Sequence, residues 1–303
     1  MPVPSKKDKV DQNNSETCVN DLSDESFVPE GVATHWLTVN GVMINKPEEI
    51  PRRVVIRKID HEAGYYAPIH SHVRGQLLFI AEGLIQVSTK DEGYWVVPPQ
   101  RAVWLPPYVE HDARSLSPVK LRNVYVSKEA SQSLPHHCQV ISITPLLREL
   151  ILKAAEFDVL YDEQGSEGRL IDVLLDQLAT QPEVPLHLPH PKSKALKYIA
   201  ECLIHEPADQ RALQVWAQDV GLSARTLARH FMKETGMSFG QWRQQARLLA
   251  AITRISQGDP VAHIAQDLGY DSQSAFIAMF RKAMGTTPGR YMSPYTVQKN
   301  LSK

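Results

Sequence analysis

Residues 217–221 read AQDVG, and residues 265–269 read AQDLG, 48 positions later. The match extends backward, Leu213 with Val261 and Trp216 with Ile264. Beyond the glycine the offset becomes 49, because GYDS replaces GLS; Leu227 then pairs with Phe276 and Phe231 with Phe280. In each copy an apolar-periodic run ends at a glycine, Gly221 or Gly269, suited to the left-handed conformation that closes a helix. Ser223 in one copy, and Asp271 or Ser272 in the other, can accept an orphan backbone N–H at the start of the next helix. Each copy is therefore predicted to be a helix-turn-helix unit, at about 210–236 and 258–285.

Each second helix spends an apolar pair four residues apart on the core, Leu227/Phe231 and Phe276/Phe280. In the first unit the opposite face carries Arg225 and Arg229, one turn apart, and arginine can bridge O6 and N7 of guanine. The matching region of the second unit holds Gln273, Ser274 and Ala278, with Arg281 and Lys282 further on. Glutamine suits adenine, whereas serine discriminates less. Taken singly, the arginine pair has the alternative reading of a solvated helix face; its place within a repeated helix-turn-helix favours DNA. Between the units, SFGQWRQQARLLAAITRISQG reads as one helix, with a Ser238/Gln241 capping box and Gly258 at its end. About 19 residues at 1.5 Å each give roughly 28 Å, close to the roughly 34 Å of one DNA turn.

The segment from about Lys194 to Tyr291 resembles the DNA-binding domain of the AraC/XylS family, in VAHIAQDLGYDSQSAFIAMFRKAMGTTPGRYM and in the closing pattern Gly285, Pro288, Tyr291. The resemblance covers about a third of the chain. It implies promoter binding through two units joined by a linker helix, and recruitment or blocking of RNA polymerase. By position it assigns base contacts to Arg225, Ala228 and Arg229, and to Gln273, Ser274 and Ala278. Ser223, Thr226, Ser272, Arg281 and Lys282 complete the predicted DNA-facing set. Ala228 and Ala278 lack polar groups, so base reading is expected to rest more on the first unit. Charge agrees: from His190 onward there are 15 Lys/Arg against 8 Asp/Glu, whereas the whole chain has a net charge of -1.

Upstream the pattern is of strands. VVIRKI, QLLFIA, LIQVST, YWVVP, AVWLP and LRNVYV, punctuated by Gly, Pro and charge, indicate a β-sandwich or small barrel over 31–130. The period turns helical over 140–181: Leu147, Leu150, Ile151 and Ala154 share one face, and Leu170, Val173, Leu174 and Leu178 another. This layer reads either as core packing under the barrel or, following the family, as a homodimer interface. Residues 182–192, rich in proline, read as an interdomain linker, and 193–295 as the DNA-binding domain, self-contained from about residue 190. The predicted class is α+β: a cupin-like β-barrel, a helical connecting layer and an all-α domain with two helix-turn-helix units.

Within the β-rich part, Gly64 precedes His70-Ser71-His72, followed by Gln76, Gly83 and, 28 residues beyond Gly83, His111. The order resembles the two cupin motifs, with Gln76 in place of the usual glutamate and Tyr108 in place of a glycine. VPPQRAVWLPPYVEHDAR also looks like the cupin sensors of some AraC-family regulators. Residues two apart on a strand face one side, so His70 and His72 are expected to converge with His111. Two readings stand. Three neutral imidazoles suit a divalent transition metal. Alternatively the histidines hydrogen-bond within the barrel mouth and shape a small-molecule effector site, with Gln76 beside them and Trp104 near its wall. Tyr65, Tyr66, Phe79 and Trp95 are further wall candidates.

Residues 1–30 are polar and acidic without an apolar core, the composition of a disordered tail rather than a secretion signal. Cys18, Cys138 and Cys202 are scattered and odd in number, which argues against a disulfide framework and for a cytoplasmic, reducing setting. No apolar run is long enough to span a membrane. The expectation is a non-enzymatic, effector-responsive transcription regulator. The rivals are a metal-dependent cupin enzyme with an accessory DNA-binding domain, weakened by Gln76, and a nonspecific architectural DNA binder.

Overall fold

The computed structural model describes residues 37–39, 42–44, 46–90 and 92–291; the predicted tail at 1–30 and the last residues of the DNA-binding range lie outside them. Strands β1 (Leu37–Val39) and β2 (Val42–Ile44) form a separate antiparallel pair. There follow β3 (Val54–His61), β4 (Tyr66–His70), β5 (Gly75–Glu82), β6 (Ile85–Thr89), β7 (Gly93–Val97), β8 (Arg101–Leu105), β9 (His111–Ser115), β10 (Val119–Val126) and β11 (Gln139–Ser142). Helices α1 (Pro145–Ala154) and α2 (Ser166–Ala179) come next, then short strands β12 (Glu183–Val184) and β13 (His187–Pro189). The remainder is helical: α3 (Lys194–His205), α4 (Leu213–Asp219), α5 (Ala224–Thr235), α6 (Phe239–Ser256), α7 (Val261–Asp267), α8 (Gln273–Met284) and α9 (Pro288–Tyr291).

Two antiparallel sheets, ordered β12-β11-β8-β5-β10-β3 and β13-β7-β6-β9-β4, make a sandwich. Alternation divides the first sheet's side chains between two cores. Leu78 and Ile80 of β5, Val103 and Leu105 of β8 and Leu121 of β10 meet Val87, Val97 and Ala113 of the second sheet. Their strand neighbours Leu77, Phe79, Ala102, Trp104, Val124 and Val126 point the other way, onto α1 and α2. Those helices bury Leu147 and Ile151, and Ile171, Leu174 and Leu178. Val173, expected inside, is 43% exposed. It precedes Leu174 by one residue, about 100° round the helix, while Ile171 sits one turn before Leu174 and takes the inward place.

The sheet runs past the expected boundary at 130, because β11 pairs with β8. The proline-rich stretch forms no helix, as expected, but it is not a bare tether. Val184 pairs with Val140 on one sheet, and His187–Pro189 pair with Gly93–Trp95 on the other. Leu186 and Leu188 are buried in a core shared with α3, α5 and α6. Trp242 Nε1 donates to Pro189 O at 2.8 Å, and Gln245 Nε2 to Pro185 O at 2.6 Å and His187 O at 3.1 Å. The Glu234 carboxylate of α5 accepts from Lys192 N and Ser193 N at 2.7 and 2.8 Å. The helical domain therefore draws part of its core and hydrogen bonding from residues before 190, contrary to the expectation that it is self-contained.

Candidate DNA-binding surface and histidine site

In the first unit α4 ends in a turn where Gly221 has φ +68°; the equivalent Gly269 after α7 has φ +73°. Both values lie in the left-handed region that penalises a Cβ. Ser223 Oγ accepts from Thr226 N, and Ser272 Oγ from Ala275 N, each at 3.1 Å. Leu227 and Phe231, like Phe276 and Phe280, are fully buried. The inward pair fixes the outward face. Arg225 and Arg229 are exposed, with Thr226 and Ala228 half-buried at the flank. On α8, Gln273, Ser274, Ala278, Arg281 and Lys282 are all exposed, as is its cap Ser272.

The 18-residue helix α6 joins the units, about 27 Å long at 1.5 Å per residue. Its start carries the expected box, Gln241 N to Ser238 Oγ at 3.3 Å and Ser238 N to Gln241 Oε1 at 2.9 Å. Side chains from and beside α6 tie the units together. Buried Arg247 donates to Pro207 O and Asp209 O, Gln210 Nε2 to Gly269 O, and Gln244 Nε2 to Tyr270 Oη. Arg254 bonds Asp259 and Asp267 at 2.6 and 2.8 Å. Arg211 bonds Asp209 and Asp219 and lies 3.6 Å above the Trp216 ring centroid. These arginines are consumed by the scaffold. Among the described residues, Arg225 and Arg229 have no ion-pair partner.

In the sandwich, His70, His72 and His111 converge, with one ring nitrogen of each within 4.8 Å of the others. They arrive by different routes. His111 opens β9 and faces inward beside Ala113. His70 pairs with His111 only because β4 shifts register between Ala67 and His70; without that bulge alternation would turn His70 outward. His72 lies beyond the end of β4, so strand alternation is not what brings it in.

The three Nδ1 atoms are all engaged. His70 Nδ1 meets Pro68 O at 2.6 Å and His111 Nδ1 meets Val109 O at 2.9 Å. A carbonyl oxygen only accepts, so Nδ1 carries the proton in both rings and Nε2 keeps its lone pair. His72 Nδ1 lies 3.5 Å from Glu48 Oε1, and its buried Nε2 has no partner. Burial pushes the His111 imidazole down to about 3 and lowers His70 as well, so both stay neutral. The hydrogen bond with His72 holds the Glu48 carboxyl below its usual range. Three imidazoles held at Nδ1 by acceptors, with one ring nitrogen of each within 4.8 Å of the others, are a donor set of the kind that suits a divalent transition metal. Glu48 was missed in the sequence: it comes from a short turn, Pro47–Glu49, with no motif spacing to mark it.

Gln76 faces the same interior. Its Nε2 lies 3.5 Å from Tyr125 Oη, as does Nδ2 of Asn123, and the two amide oxygens are buried without partners. Tyr125 packs edge-on to His72 at 5.4 Å between ring centroids. Trp104 does not join this site. Gln76 is registered with Leu105, so Trp104, one residue on, faces the opposite side of the sheet and packs under α1 and α2. Its Nε1 donates to Pro135 O at 2.8 Å, and a Cβ on Gly75 would lie 2.3 Å from its ring. Phe79 faces that way too, and Tyr66 is exposed beneath Arg114. Trp95 stays in the sandwich core, and Tyr65 stacks on His61 at 3.6 Å.

Residues 54–179 match a family model described as an AraC-like ligand binding domain, and residues 216–293 one described as a helix-turn-helix domain. The HTH-type transcriptional regulator NimR of Escherichia coli K12 is 40% identical over 262 residues, 86% of this chain and 94% of that protein. The HTH-type transcriptional regulator RipA of Corynebacterium glutamicum is 34% identical over 103 residues, 34% of this chain and 31% of that protein. The arabinose operon regulatory protein of E. coli K12 is 29% identical over 148 residues, 46% of this chain and 48% of that protein. Among the described residues no helix is long and apolar enough to cross a membrane. With both halves matched in order and a regulator aligned over nearly its whole length, the chain belongs to the AraC/XylS family of transcription regulators, its cupin-type ligand-binding domain preceding a pair of helix-turn-helix units.

Proposed function

We propose that this regulator binds promoter DNA in a sequence-specific way through α5 and α8, and that a small-molecule effector held at the histidine end of the sandwich governs that binding. The observation that carries the reading is the pair of exposed arginines on α5, one turn apart and left unpaired by a scaffold that pairs Arg211 and Arg254 with carboxylates and holds buried Arg247 on backbone carbonyls. The effector half rests on the buried, unpartnered amide oxygens of Gln76 and Asn123 and the unpartnered His72 Nε2, since unpaired buried polar atoms are costly unless a ligand or water meets them. His70, His72 and His111 would hold a divalent transition metal there, which would offer the effector a Lewis-acidic anchor. The rival reading as a cupin enzyme rests on the same histidines, whereas NimR, RipA and the arabinose operon protein are regulators. Contact with RNA polymerase and action as a homodimer in the cytoplasm belong to the same proposal. Leu146 and Val173, exposed on the outer sides of α1 and α2, are the face we assign to the second copy.

One set of titrations tests both halves. Arg229→Ala is expected to lose about 1–3 kcal/mol of affinity for the true promoter site and little for scrambled DNA. His72→Ala is expected to keep DNA affinity while losing bound metal and the response to effector. Equal losses of Arg229→Ala on true and scrambled DNA would make Arg229 a phosphate contact. Impaired DNA binding with intact induction in His72→Ala would move the effector site elsewhere.

A further inference from the structure

The two recognition helices share a framework and differ in chemistry. At the offset of 49, Arg225 corresponds to Ser274, Arg229 to Ala278 and Ala228 to Ile277. Where α5 projects two guanidinium groups, α8 presents a short hydroxyl and a methyl, with a larger apolar side chain beside them. The outer face of α8 carries an open hollow of about 630 Å³, lined by Ser274, Ile277, Ala278, Arg281, Lys282 and Thr287. Ile277 is half-buried and Ala278 exposed, so an apolar wall is accessible to a partner, while Arg281 and Lys282 hold exposed positive charge in the helix's last turn.

A partner for this surface needs an apolar projection within a negatively charged frame. In the major groove the thymine C5-methyl is the apolar group on a base edge, and phosphates flank it on both sides. The N-terminal part of a recognition helix meets the bases, and cations near its other end reach the backbone. We propose that α8 reads thymine through its methyl group, seated in the hollow at Ile277 and Ala278, with Arg281 and Lys282 on the flanking phosphates. The second unit is then a specific reader by shape and apolar contact, complementary to a guanine-reading first unit. This rests on the reading of the protein as a sequence-specific DNA binder.

The test uses the full-length protein and a duplex operator selected from a random library. Uracil replaces each thymine in turn, which removes the methyl and keeps O4 and the base pairing. Burying one methyl group corresponds to about a fourfold change in affinity. The expected result is a loss of about fourfold at one or two thymines in the half-site that Arg229→Ala leaves unaffected. Ala278→Ser, at an exposed position, should abolish that sensitivity and leave the first half-site's preferences intact. Operator selection with uracil tolerated at every position would overturn the methyl reading alone. If no operator is selected, the sequence-specific reading fails along with it.

Discussion

Replacing Trp242 with alanine is expected to lower stability by about 3–5 kcal/mol, the range for deleting a buried aromatic side chain. Trp242 is fully buried at the start of α6, its ring 6.1 Å from that of Phe231 on the first recognition helix. Its Nε1–H is held by the Pro189 carbonyl of β13. The substitution opens a cavity between α5 and α6 and strips a carbonyl of its donor. Trp242→Phe retains most of the volume and loses only the hydrogen bond, so its cost should fall to about 1–3 kcal/mol. Urea unfolding followed by circular dichroism measures both. A change under about 1 kcal/mol for the alanine variant would show that the junction of linker strand, rod and recognition helix is not a tight joint.

Ala250→Pro should have the larger effect on function. Position 250 lies in the second half of α6, where proline removes a bond to the carbonyl of Ala246 and clashes with it, a cost of about 3 kcal/mol or more with a kink. The rod sets the separation of α5 from α8, so the kink misplaces one recognition helix whenever the other is seated. Specific affinity should fall by at least about a hundredfold, toward the level for scrambled DNA, while charge-driven nonspecific binding persists. Ala250→Gly, which costs only about 1 kcal/mol and imposes no kink, should bind nearly as the parent does. Gel-shift titrations on operator and scrambled duplexes make the comparison, and an undiminished specific affinity for Ala250→Pro would mean that one unit suffices.

The helix-turn-helix units were legible because their determinants are local. Caps at Ser223, Ser238 and Ser272 and left-handed glycines at 221 and 269 act within a few residues, and the repeat displays them twice. The three histidines were legible as a set from their spacing. The direction of individual side chains was not, because it depends on long-range register. Whether Trp104 faces the histidines or the helices is decided by the pairing of β8 with β5. Whether His70 faces in or out is decided by one bulge in β4. Strands β12 and β13 span two and three residues and exist only because sheet edges lie beside them. Glu48 reaches His72 Nδ1 from outside any recognisable pattern, so the site has a carboxylate, placed behind a histidine rather than at position 76.

The most direct measurement is hydroxyl-radical footprinting of the full-length protein on its selected operator. Two recognition helices joined by a stiff rod should give two protected patches on one face of the duplex, about one helical turn apart. Guanine methylation should interfere in the patch met by α5. A single continuous patch, patches on opposite faces, or protection that does not depend on sequence would contradict it.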